Sequence, residues 1–321
     1  MGLVVEYQIL EKEFSFYVGT KECVSVNTGT AALHLALEAL RLPKEAEVIV
    51  PQYTMIATAW AVHYAGLTPV FVDCTEDLLI NTDDIERAIT KNTRVIMVTH
   101  IYGRVVNMTK VMEIALKYNL RVIEDAAEAH GSKWEGQKVG SFDIGCFSFY
   151  ANKIVSGEEG GAVVSDDEEF IKTARDMKSM SFGAEHNYMH KQIGFNYRMT
   201  NSQASLILES LRNIEENIRS RKRNESLYDS LIEDRYTMPR RDVPWVYDIK
   251  VKDNKIVDHL RNRGIPARYG FKPVSMCAPF FVDATSTNAF KASQQIMYLP
   301  VGPELYEPEI KNIASNLQEF L

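Results

Sequence analysis

The chain has 321 residues, 45% hydrophobic and 25% charged, with a net charge of −7. It is longer than one average domain and has the composition of a globular protein, not a disordered one. The acidic balance argues against a general nucleic-acid surface. Four scattered cysteines (Cys23, Cys74, Cys146, Cys277) without a C-x-x-C pair point to a reducing compartment and to neither a disulfide framework nor a zinc site. No apolar run approaches the roughly 20 residues that span a bilayer, and the N-terminus lacks a basic signal-peptide region. The expected location is the cytoplasm.

In chain order, a short apolar strand at 23–26 runs into Asn27-Thr28-Gly29-Thr30, which opens a helix over 30–41. Thr28 suits an N-cap and Gly29 permits close backbone approach, so free N–H groups and the positive helix end form a candidate phosphate cradle. The same tetrapeptide also caps helices for structure alone. Strands follow at 48–50, 69–72, 94–98, 121–124, 146–149 and 162–164, with helices at 55–65, 83–89 and 109–118. This alternation predicts an α/β fold, a mostly parallel seven-stranded sheet with helices on both faces. Ligands of such sheets gather at the carboxyl ends of the strands. From about residue 200 the texture changes: one long helix at 201–224, a strand at 242–251, and helices at 254–263 and 304–321. A large domain at 1–224 and a smaller C-terminal α+β domain at 225–321 are therefore expected. The polar stretch at 183–191 reads as a mobile loop.

Asp125 ends the fifth strand, and Lys153 follows the sixth. A strand-end aspartate holds a pyridine nitrogen protonated, and a lysine amine bonds covalently to an aldehyde. Together they suit pyridoxal 5′-phosphate (PLP). Ser148, in C-F-S-F-Y, is either the polar face of a strand or a donor to the cofactor phosphate. Glu159-Gly160-Gly161 is a tight turn beneath the ring. Each of these has a bland reading, and their joint order carries the argument. His100 and His130 follow strands and are expected to be structural, as no His or Cys pair at i, i+3 or i, i+4 suits a metal. Tyr53 and Tyr102 are expected to serve packing.

Together the stretches N-T-G-T-A-A-L-H-L-A-L, V-I-V-P-Q-Y-T-M-I-A-T, I-E-D-A-A-E-A-H-G-S, F-S-F-Y-A-N-K, E-G-G-A-V-V and G-F-N-Y-R-M-T closely resemble the DegT/DnrJ/EryC1/StrS family of PLP-dependent sugar aminotransferases. S-F-Y-A-N-K with Glu128 is most similar to its GDP-perosamine synthase branch. The resemblance implies PLP fold type I, the aspartate-aminotransferase-like architecture, and a homodimer with shared active sites. It also implies transfer of an amino group from glutamate to a nucleotide-linked 4-keto-6-deoxy sugar. By motif match, Gly29, Thr30 and Ser148 bind the cofactor phosphate, Asp125 pairs with the ring nitrogen, and Lys153 holds PLP covalently. Glu128 sits beside the phenolic oxygen, and Asn196 reaches the phosphate of the neighbouring subunit's cofactor. Met55 stands where many relatives stack an aromatic on the ring, and Glu158 where the family's G-E-G-G run has a glycine. Two alternatives stay open: a PLP-dependent sugar dehydratase, which in this family has histidine in place of that lysine, and a non-catalytic homologue that binds a sugar nucleotide.

Overall fold

The computed structural model describes residues 5–182 and 188–321. Its first half comprises α1 (Glu6–Val18), β1 (Glu22–Val26), α2 (Gly29–Ala39), β2 (Glu47–Pro51), α3 (Ile56–Tyr64), β3 (Thr68–Val72), α4 (Thr82–Ala88), β4 (Thr93–Thr99), α5 (Met108–Tyr118) and β5 (Arg121–Asp125). A two-residue hairpin, β6 (Lys133–Trp134) and β7 (Gln137–Lys138), leads to β8 (Ile144–Ser148), β9 (Gly161–Ser165) and α6 (Glu168–Met177). The rest is α7 (Asn201–Arg212), α8 (Ile214–Leu231), β10 (Tyr247–Lys250), α9 (Ile256–Asn262), β11 (Arg268–Tyr269), α10 (Asn288–Gln295), β12 (Ile296–Leu299) and α11 (Glu307–Gln318).

The main sheet has seven strands in the order β1-β9-β8-β5-β4-β2-β3. β9 alone runs antiparallel to its neighbours β1 and β8, and the pairs among β8, β5, β4, β2 and β3 are parallel. These are the seven expected strands, so the mostly parallel α/β sheet stands. Their buried residues have near-continuous apolar character, as strands covered on both faces require. Val24, Val26, Leu33 and Ile144 belong to one core; Phe14, Phe147, Phe149 and Ile207 belong to another across the sheet. Because the strands run parallel, the ends of β1, β4, β5 and β8 share one edge, and β9 begins there: Gly161 pairs with both Val26 and Ser148.

A second, three-stranded sheet, β10-β12-β11, is wholly antiparallel. With α9 and α11 it encloses its own core around Tyr247, Leu260, Met297 and Leu317. Helix α8 joins the two layers: Ile218 packs in the main core and Tyr228 in the second, so residues 224 and 225 lie inside one helix.

Three expectations shift. The long helix over 201–224 is two helices that meet at Asn213 (φ −98°, ψ 8°), whose side-chain amide donates to the Glu209 carbonyl. An asparagine that engages its own helix backbone competes with continuation. The strand at 242–251 is confined to β10, because the N–H groups of Asp242 and Val243 go to the Gly103 carbonyl and that of Trp245 to the Tyr102 carbonyl. Pro244 has no N–H to offer a ladder. Helices α1, α6 and α10 were not anticipated. The expected loop at 183–191 falls outside the described residues over 183–187.

Candidate active site

Strand β5 delivers Asp125 to the carboxyl edge of the sheet, beside Thr99 of β4 and Cys146 of β8. Its carboxyl is buried and accepts two hydrogen bonds: from Thr58 Oγ1 of α3 (2.8 Å) and from the Ala127 N–H (3.2 Å). Burial raises its pKa, against the opposing pull of those two donors, Lys153 and His100. A carboxylate with two donors and unfilled lone pairs in an apolar wall suits a cationic partner, such as a protonated ring nitrogen.

Lys153 lies in the turn after β8. Its Nζ stands 3.9 Å from Glu128 Oε1 and 3.7 Å from the centroid of the Trp245 ring. Burial pushes the ammonium's pKa down, with Glu128 and Asp125 pulling it back. Burial likewise lifts Glu128 to about 7, although Lys153 and the Tyr102 N–H (2.9 Å) oppose it. An acid that rises and an amine that falls, side by side, are groups suited to hand a proton between them.

The cradle lies across the same edge. Thr28 caps α2 by accepting the Ala31 N–H, and its carbonyl accepts that of Ala32. The Gly29 and Thr30 N–H groups are left without an acceptor among the described residues. A Cβ on Gly29 would come within 2.7 Å of the Ser148 Cβ, so the bare turn and the serine hydroxyl form one surface. Backbone donors at a helix N-terminus beside a hydroxyl fit a phosphate. Met55, the residue before α3, is half exposed. Glu158 takes a left-handed conformation (φ +67°), in keeping with the glycine that the family run has there. Ile154 and Val155, beside the lysine, fill the core.

The structure thus joins Lys153 with Glu128 and Gly29 with Ser148, and puts Asp125 in the field of the lysine. Asn196 is exposed on the segment that bridges to Ser179 and touches none of these groups within one chain. His100 is structural: its ring bonds Glu124 (3.0 Å) and accepts the Val106 N–H (3.2 Å). His130 is buried among Phe14, Phe147 and Phe149, with no hydrogen bond to either ring nitrogen among the described residues, and burial holds it neutral with a pKa near 3. Sequence reasoning missed Thr58 and Trp245. Nothing in their spacing could signal them, since both meet the site only through the fold.

The sequence model of the DegT/DnrJ/EryC1/StrS aminotransferase family matches residues 5–318. The GDP-perosamine synthase of Caulobacter vibrioides is 34% identical over 99% of this chain and 90% of its own length. The dTDP-3-amino-3,4,6-trideoxy-alpha-D-glucose transaminase of Streptomyces venezuelae is 30% identical over 98% of this chain and 87% of its own. The solved structure of S. venezuelae DesV in complex with a ketimine intermediate superposes with a TM-score of 0.92 at 30% identity, covering 99% of this chain and 89% of that one. The chain belongs to the DegT/DnrJ/EryC1/StrS aminotransferase family, whose members are PLP-dependent enzymes.

Proposed function

We propose that this protein moves the amino group of glutamate onto C4 of a nucleotide-linked 4-keto-6-deoxy sugar, in the manner of a GDP-perosamine synthase, with PLP held covalently by Lys153. The observation that carries the reading is the buried Lys153 amine, set against Glu128 and in the field of Asp125 at the carboxyl edge of the sheet. Similarity to GDP-perosamine synthases at 34% identity supports the sugar and the position. When bound, PLP supplies an electron sink and carries the amino group between donor and acceptor.

The chain's own residues do the rest. Asp125, kept anionic by a cationic ring, holds the proton on the ring nitrogen. Gly29 and Thr30 donate backbone N–H groups, and Ser148 its hydroxyl, to the phosphate. Glu128 faces the phenolic oxygen, where its carboxyl is able to hold a proton. Met55 would lie against the ring where many relatives stack an aromatic. Lys153, once its amine is free, moves a proton between the two carbons that exchange the amino group. Asn196, exposed in one chain, completes the phosphate site of a second copy in a homodimer. The retained lysine weighs against a dehydratase. Residues 1–224 form the PLP-binding domain and 225–321 the smaller C-terminal one. Four free cysteines fit a reducing cytoplasm.

The test begins with colour. Purified protein incubated with PLP is expected to absorb between roughly 330 and 430 nm, a band lost in Lys153→Ala and shifted by glutamate. Borohydride trapping with peptide mapping should place the label on Lys153. Release of 2-oxoglutarate is then measured with GDP-, UDP- and dTDP-linked 4-keto-6-deoxy sugars. Turnover with none of them defeats the sugar assignment, and a label on another lysine defeats the site.

A further inference from the structure

We infer that Trp245 is the positioning residue for Lys153: its indole holds both the amine and the backbone turn that carries it, and keeps the free amine a cation beside Glu128. The inference deepens the reading above and rests on it for its effect on turnover.

Two contacts from one ring carry the argument. The Lys153 ammonium lies 3.7 Å from the indole centroid. The indole Nε1–H donates to the carbonyl of Asn152, the residue just before the lysine, at 2.9 Å. Lys153 Nζ makes no hydrogen bond among the described residues, and 3.9 Å to Glu128 is too long for one. The ring face is therefore the closest polar partner the amine has.

Trp245 is itself held firmly. It is 6% exposed, its N–H goes to the Tyr102 carbonyl (3.3 Å), and its carbonyl accepts Arg221 Nη1 (2.8 Å). The segment before it packs on Gly103, where a Cβ would come within 1.7 Å of the Val243 carbonyl oxygen. Gly103, at φ +94°, is thus fixed as glycine by the same approach. Tyr102 in turn donates its N–H to Glu128. Lysine, glutamate and indole form one unit, with the indole supplied from the segment leading into β10.

The charged and titratable groups facing Lys153 are Glu128 and Asp125, whose negative charges favour the ammonium, and His130, which burial keeps neutral. Asp248 acts on Glu128 from behind. The indole face works in the same direction as the two carboxylates, so its removal favours the neutral amine.

The experiment follows the free amine in the full-length apoprotein. Reductive methylation across a pH series, quantified on the peptide that contains Lys153, reads the midpoint at which the amine loses its proton. Trp245→Leu is expected to lower that midpoint by about one pH unit, a tenfold change in ammonium population, while Trp245→Phe, which keeps a ring face but loses the Nε1–H bond to Asn152, falls between Trp245→Leu and wild type. With the enzyme loaded, Trp245→Leu should reduce kcat and leave KM for the sugar nucleotide unchanged. Should the leucine variant not fold, fluorinated tryptophan at all three tryptophans drains the ring face without changing its shape, and the midpoint should fall with each added fluorine. A midpoint that moves with neither change overturns the inference. Because it is measured without cofactor, PLP trapped on another lysine would defeat the proposed function and leave this result standing.

Discussion

Two buried clusters of charge lie on either side of the Tyr102–Gly103 turn, and they are built to opposite ends. Asp248 in β10 receives Arg104 through a two-pronged pair (3.0 and 3.0 Å) and Arg241 Nε at 2.9 Å, while Arg241 also reaches Glu225 at 2.9 Å. Burial raises the Asp248 carboxyl, but the two guanidinium groups more than offset this and hold it below its ordinary value. Asp125 and Glu128 are also buried and Lys153 is largely so, yet their closest ion-pair distance is 3.9 Å, and each pKa moves toward the neutral form. The first cluster satisfies every charge and fixes the joint between the two sheets. The second leaves its charges under-partnered, as the proposed proton transfer requires. Short bidentate geometry, not burial or residue type, separates a strut from a site.

The contrast breaks most visibly at the lysine. Lys153→Ala should lose covalent cofactor and reduce turnover by about 10⁴-fold, with the thermal midpoint unchanged or higher, since a poorly paired buried cation is removed. Absorbance after incubation with PLP checks the first half, and calorimetry of both proteins without cofactor checks the second. Asp248→Ala should do the reverse. It strands Arg104 and Arg241 without their carboxylate and should cost about 3–5 kcal/mol of stability by urea unfolding. The protein that remains folded should still take up cofactor. A large stability loss from Lys153→Ala, or none from Asp248→Ala, would erase the distinction.

How far each cluster was legible follows from the distance over which its parts communicate. The sheet was readable because each strand is a local apolar run and each turn carries its own punctuation: Thr28 before α2, and Asp125 at the end of β5. The lysine was readable for the same reason, placed just after β8 by its own neighbours. The family's motifs then supplied roles for Glu128 and Asn196 that spacing alone does not hold. What stayed hidden is what the fold brings from afar. Thr58 meets Asp125 from helix α3, and Trp245 meets Lys153 from the segment before the second sheet. The same segment reads as a continuous strand over 242–251 because Val243, Trp245, Val246, Tyr247, Ile249 and Val251 are aromatic or β-branched. Its N–H groups are spent on Tyr102 and Gly103, a competition no local pattern announces. Helix α1, whose Leu10, Phe14 and Val18 recur at helical spacing, carried a usable period that was overlooked among its charges.

The finest test lies in pH. Burial lifts the Glu128 carboxyl from near 4.5 to about 7, so between those values the folded chain holds a proton that the unfolded chain has released. By linkage, stability must fall as pH rises through that window and stay reduced above it. Asp248 has the opposite sign: its contribution is present above its ordinary value of 3.8 and is lost as pH falls through its depressed one. Lys153, depressed by burial, has the opposite sign to Glu128: its contribution grows as pH rises from its depressed value toward the ordinary lysine value. Replacing Glu128 by Gln removes a group that must lose its proton in place, and with it the falling limb. Glu128→Gln should match wild type near pH 5 and exceed it by about 2 kcal/mol at pH 8, read from urea midpoints across the series. Asp248→Asn should keep a falling limb, made shallower by the loss of one negative charge near Glu128, and weaken the protein at every pH of the series. Parallel wild-type and Glu128→Gln curves would mean that the glutamate is as well partnered as Asp248, and that the site holds its charges no less comfortably than the strut.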